Sequence, residues 1–170
     1  MYYKYLIYIR YLLVWLAFVT NNPATAQESL PDINDRVVNY VGTVIGTTVG
    51  RGECWDLADQ ALTYVGARFD KSSRSTIYIF GEKYNPHKDT ILPGDIIQFE
   101  DVHVSYRDGN MIFNENYKHH TAIVYRINSD QSLQLAHQNT SFGGRKVALS
   151  DLNLDSVQKG KLYFYHPVQD

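Results

Sequence analysis

The chain has 170 residues, of which 44% are hydrophobic and 20% charged, and its formal net charge is −2. That length fits one domain with room for a real core, and 16 basic residues against 18 acidic ones give no basic excess for nucleic acid, so no nucleic-acid partner is expected. A single cysteine has no partner for a disulfide within the chain.

Lys4 and Arg10 precede or flank an apolar run from Tyr11 to Val19, and Ala24-Thr25-Ala26 supplies the small-x-small pattern of a signal peptidase site before Gln27. Residues 1–26 therefore read as a secretory signal peptide, and 27–170 as one domain exported to the periplasm or the medium. The run is shorter than the roughly 20 apolar residues of a membrane span, and no later stretch offers another. No cysteine follows the cleavage site, which leaves no attachment point for a lipid anchor. Removal of Lys4 and Arg10 leaves 14 basic residues against 18 acidic, a net charge of −4 on a chain expected to be monomeric.

After a polar lead-in from Gln27 to Asn34, Val37, Val38, Val41, Val44 and Ile45 recur at helical spacing within Asp35 to Val49. The β-branched content makes a strand nearly as plausible. The spacing favours a helix capped by Asp35 or Asn34. A second helix opens at Cys54, behind Gly50-Arg51-Gly52-Glu53, with Ala58, Ala61, Leu62 and Val65 on one face. It is expected to end near Gly66 to Phe69, before a loop over residues 70–75.

Leu92-Pro93-Gly94-Asp95 is a turn signal, and Ile96 to Phe99 reads as a strand behind it. Val102 to Tyr106, Asp108-Gly109-Asn110 and Met111 to Phe113 read as a hairpin. Strands then follow over His119 to Tyr125, Leu133 to Asn139 and Lys161 to Tyr165. Helices first and strands afterwards, without alternation, predict an α+β domain with an antiparallel sheet.

Chemical interest centres on Cys54. A helix N-terminus favours an anion, so a thiolate is expected there with its pKa lowered from about 8.5. The plainer reading is a small buried hydrophobe. In an exported chain an unpaired thiol is a liability unless it is buried or used, which favours a nucleophile. A nucleophilic thiol needs a base, and the base needs a third group to orient it. Alternation puts His120 on the face of Ala122 and Val124, and His119 on the face of Thr121, Ile123 and Tyr125. Leu133, Leu135, His137 and Asn139 share one face of the next strand. His87, His103 and His166 lie in loop, hairpin or terminal contexts and are set aside. A metal site from Cys54, His120 and His137 lacks the close paired spacing of zinc motifs, so no metal and no cofactor are expected.

Gly52-Glu53-Cys54-Trp55 at a helix start, Pro93-Gly94-Asp95-Ile96-Ile97-Gln98-Phe99, His120-Thr121-Ala122-Ile123-Val124 and His137-Gln138-Asn139 together resemble, in order and rough spacing, the landmarks of NlpC-type and CHAP papain-like cysteine hydrolases. The resemblance implies an N-terminal helix carrying the nucleophile, packed on a small antiparallel half-barrel. It also implies Cys54 as nucleophile, His120 as base, and either His137 or Asn139 as the group that orients it. Glu53, Trp55, His119 and Gln138 flank these positions and are the expected substrate contacts, Gln138 also being a candidate second oxyanion donor. The implied activity is cleavage of an amide or peptide bond, with bacterial peptidoglycan as the first substrate class. A binding domain without catalysis on the same fold is the alternative. Glu53 and Trp55 depart from the NlpC-type pattern of aspartate before the cysteine and small residues after it, and Glu100 to Lys118 forms a longer insertion than compact members carry.

Overall fold

The computed structural model describes residues 31–169, so the signal-peptide expectation for 1–26 lies outside the described residues. Helix α1, Asp32–Val44, buries Ile33, Val37 and Val41 at four-residue steps, together with Asn34. It begins a turn earlier than the expected cap at Asn34 or Asp35, because the Pro31 carbonyl already accepts the amides of both, at 2.9 and 3.2 Å. Helix α2, Cys54–Val65, buries Leu57, Ala58, Ala61, Leu62 and Val65 and stops at Gly66. Gly66 takes the left-handed conformation, and the Ala67 amide closes back on the Leu62 carbonyl at 2.9 Å.

Among the described residues, six strands form one sheet: β1 Glu82–Tyr84, β2 Ile96–Asp108, β3 Met111–Ile127, β4 Leu133–His137, β5 Ala148–Leu152 and β6 Val157–His166. Their order is β1-β6-β2-β3-β4-β5, with every pairing antiparallel. The two helices pack on this sheet in an α+β arrangement. The segments expected as separate short strands around residues 96–125 are continuous here, and β2 and β3 form one long hairpin paired from Ile96↔Ile123 out to Asp108↔Met111. The Glu100 to Lys118 insertion is thus the outer part of that hairpin.

Each face of the sheet has its own apolar core. Ile96, Ile123, Ala136 and Tyr165 pack with the helices, whereas Ile97, Phe99, Ala122, Val124, Leu135 and Phe164 pack on the opposite face. The pairing of β2 with β6 shifts register between Glu100 and His103, where Asp101 sits at φ 51°. Gly160 of β6 crosses that point at φ 99°, and a Cβ there would lie 2.5 Å from the Asp101 carbonyl oxygen, so only glycine fits.

The Pro93-Gly94-Asp95 turn is held by its wholly buried aspartate. Asp95 accepts bonds from the Asn34 amide at 3.0 Å, the Tyr84 hydroxyl at 2.7 Å and the Leu92 backbone amide at 2.8 Å. It also pairs with His166 Nδ1 at 2.8 Å. One carboxylate thereby ties α1, β1 and β6 to the start of β2, and His166, which stacks on Tyr84 at 3.9 Å, belongs to this joint.

Candidate active site

The turn before Cys54 is built around Asp56, which is 5% exposed. Its carboxylate accepts the Arg51 amide at 2.7 Å, the Arg51 guanidinium at 3.0 Å and the Glu53 amide at 3.3 Å. Burial pushes the Asp56 carboxyl upward, but the Arg51 and Glu53 bonds outweigh it and hold the group below the usual carboxylate value. Gly50 at φ 59° lies so close that a Cβ would sit 2.9 Å from Asp56 Cβ, and Gly52 at φ 83° would collide with Arg145 at 2.7 Å. The chain therefore enters α2 by a fixed route.

Gln138 anchors this turn to the end of β4. Its Oε1 accepts the Val49 amide at 3.1 Å, while Nε2 donates to the Val49 carbonyl at 2.9 Å and the Glu53 carbonyl at 2.8 Å. With no exposed surface and both amide hydrogens engaged, Gln138 has no donor left for an oxyanion or a substrate. The expectation of a substrate contact there is corrected: Gln138 is a strut.

Cys54 is half-buried. Burial pushes its thiol up, opposed by the backbone amides of Thr121, Trp55 and Cys54 itself, and the neighbouring Glu53 pushes it further up. The resting group is a thiol, which corrects the expected helix-stabilised thiolate: desolvation exceeds the effect of the helix end. The Thr121 amide places the sulfur beside the peptide unit that follows His120.

Strand alternation directs His120 to the face of Ala122 and Val124, where its ring meets Phe99 and Tyr117. His120 Nε2 is 2.9 Å from His137 Nδ1, and His137 Nε2 is 2.9 Å from Ser150 Oγ on β5. His120 Nδ1 makes no hydrogen bond among the described residues. Because no buried side-chain nitrogen there is left unpaired, that atom reaches solvent. Burial, with a smaller effect of His119, pulls His120 down to about 4, and burial pulls His137 down as well. Both rings are therefore neutral near neutral pH. No hydrogen bond joins Cys54 to His120, whose ring lies on the sheet face away from α2; the expectation of His120 as base, oriented by His137 or Asn139, is corrected, because alternation turns His119 and not His120 towards the thiol.

On the helix-facing side Cys54, Trp55, Tyr78, His119 and Asn139 line a cleft of about 420 Å³, together with Arg51, Glu53, Lys71 and Ile77. His119 is held there by Glu100 Oε1 at 2.8 Å and Gln98 Nε2 at 3.2 Å, with Tyr78 edge-on at 4.2 Å. Trp55 donates to the Ile77 carbonyl at 2.7 Å. Glu53 pairs with Arg145 at 3.0 Å and accepts from the Asn139 amide at 2.7 Å. Asn139, at φ 60°, is thus turned to the cleft wall, and of the two residues considered for orienting His120 only His137 bonds it.

Sequence reasoning missed Ser150, Glu100 and Gln98. The alternation of β2 against His119 could have suggested the last two. Ser150 depends on the β4–β5 register Leu135↔Ser150, and the sequence reading had assigned no strand there.

No match is found among curated proteins. Among solved structures, the chain is similar to the crystal structure of Ly7917, at 21% identity over 78% of this chain and 62% of the other, with a TM-score of 0.46. It is likewise similar to Ly7917 with the hydrolyzing product of MDP, at 21% identity over 79% and 62%, with a TM-score of 0.48. The chain spans about three-fifths of the length of that protein. The family model described as the AIM3/BBC1 cysteine proteinase-fold domain matches residues 23–170, and the chain belongs to that family.

Proposed function

We propose that this domain is a thiol hydrolase of amide or peptide bonds, with Cys54 as nucleophile, His119 as general base and Glu100 as the residue orienting it. The observation that carries the reading is that Cys54 and His119 line one cleft, where the His119 ring is oriented by Glu100 Oε1 at 2.8 Å from Nδ1. In the reaction, Cys54 Sγ bonds to the substrate carbonyl carbon as its proton passes to the His119 imidazole. The developing oxyanion is met by the Cys54 backbone N–H at the head of α2. Collapse breaks the C–N bond, His119 returns the proton to the departing amine, and a water activated by the same imidazole cleaves the thioester.

The finer reading follows the resemblance to NlpC-type and CHAP enzymes, with their half-barrel sheet. The substrate is then a peptide amide of peptidoglycan and the protein is exported, on the strength of the Ala24-Thr25-Ala26 site. The cleft's mixed wall of Trp55, Tyr78, Glu53 and Lys71 suits a peptide that carries both charges. Mass analysis of peptidoglycan and of a peptide library, after incubation with residues 27–170 and with Cys54→Ser, tests both levels. New fragments with the first protein and none with the second are expected. Equal cleavage by both would remove Cys54 from catalysis. Cleavage confined to non-wall peptides would keep the enzyme and discard the substrate class. The raised thiol favours a second reading, a binding domain on this fold, for which bound but uncleaved peptide is the expected result.

A further inference from the structure

Gln98 is 1% exposed and takes no part in the chemistry proposed above, yet its amide meets the carboxylate that orients the base. We propose that Gln98, locked in place by the Thr121 hydroxyl, is a positioning residue that fixes Glu100 as acceptor of the His119 Nδ1 proton and so leaves Nε2 as the basic atom. The inference rests on the reading of His119 as base and deepens it.

Cross-strand register brings the four side chains together. Glu100 lies opposite His119 and Gln98 opposite Thr121 on β2 and β3, and the two-residue alternation turns all four to the helix-facing side. A carboxylate only accepts, so with Glu100 Oε1 at 2.8 Å the proton of a neutral His119 resides on Nδ1 and the lone pair on Nε2. The same oxygen accepts from Gln98 Nε2 at 3.0 Å, and two donors converging on one atom accounts for the 3.2 Å between Gln98 Nε2 and His119 Nδ1. The other amide hydrogen of Gln98 faces the Phe99 carbonyl at 3.3 Å, so none remains to compete for the imidazole. Turning the amide over would set its oxygen 3.0 Å from Glu100 Oε1, acceptor against acceptor. Thr121 Oγ1 fixes the observed orientation by donating to Gln98 Oε1 at 2.7 Å, and Thr121 is itself 1% exposed. Its backbone amide meets the Cys54 sulfur. One residue thus steadies the nucleophile directly and the base through Gln98 and Glu100.

The test is imidazole nitrogen NMR on 15N-histidine-labelled protein at about pH 9, where histidine side chains are neutral, for the wild type, Gln98→Leu, Thr121→Val and Thr121→Ser. In the wild type, His119 should show a protonated Nδ1 and a bare Nε2. Gln98→Leu removes the amide and Thr121→Val the hydroxyl; each should mix the two tautomers at His119, and Thr121→Ser should keep the wild-type one. On a cleaved substrate, Gln98→Leu should lower kcat about tenfold to a hundredfold with KM unchanged, as loss of one hydrogen bond to a charged group predicts. A protonated Nε2 on His119 of the wild type, or an unchanged tautomer in either variant with its fold verified by circular dichroism, would overturn the proposal. If Gln98→Leu does not fold, the milder Thr121→Val decides. The spectra need no turnover, so failure of Gln98 as a positioning residue is distinguishable from failure of the base assignment, which His119→Ala decides separately.

Discussion

Replacing Gln138 by alanine separates its structural duty from the oxyanion role that its place beside His137 suggests. The side chain spans from β4 to the turn before Cys54 and makes three hydrogen bonds to backbone groups of Val49 and Glu53, all shielded from water. Each such bond contributes about 1 kcal/mol net, so their combined loss costs about 3 kcal/mol, and unpaired groups or the space left behind add to it. Against the 5–15 kcal/mol typical of a domain, this is about a third of the total stability, and it falls on the segment that carries the nucleophile. Urea titration followed by circular dichroism, with the slope compared between wild type and variant, measures the loss directly. If Gln138 instead donated to an oxyanion, the variant would keep its midpoint and lose about 10²- to 10³-fold in kcat. Unchanged stability with that rate loss would refute the strut and restore the oxyanion assignment.

Two further outcomes are expected. His119→Ala should cost several orders of magnitude in rate and His120→Ala far less, because His119 shares the cleft with Cys54 while His120 lies on the opposite face of the sheet; a severe loss at His120 alone, assayed on purified folded variants, would move the base to that face and make His137 its orienting partner. Because burial raises the free Cys54 thiol, alkylation by iodoacetamide should accelerate only as pH rises above the ordinary thiol range; a plateau reached near neutrality would show a thiolate that the surroundings of Cys54 do not predict.

How far the chain could be read in advance depended on whether a feature was local. The apolar stripe of α2 and the glycines before Cys54 were visible because helical period and backbone freedom belong to neighbouring residues. Alternation likewise assigned His119 and His120 to opposite faces, as found. The sequence could not show that β4 ends against the turn before Cys54, so Gln138 was read as a donor to substrate when its donors face backbone. Asn139 was similarly taken to continue the row of His137, but β4 ends at His137 and the left-handed backbone at Asn139 breaks the alternation. Strand β1 has only three residues and β5 lacks a clean polar-apolar pattern, so neither carried a signal. The thiol was misjudged for another reason: a helix end is written in the sequence, but the depth at which it is buried is a property of the whole fold.

Strand β4 also constrains how this sequence can vary. His137 and Gln138 are consecutive, yet one reaches the His120 imidazole and the other clips the nucleophile's turn. A single insertion or deletion between Leu133 and Gln138 would exchange their positions, breaking the buried His120–His137 pair and unfastening the thiol's turn in one event. Length changes within the strand are therefore ruinous. A chain that pairs β4 one residue out of step during folding would carry a cysteine detached from its catalytic partners, so correct strand registry and chemical competence are acquired together.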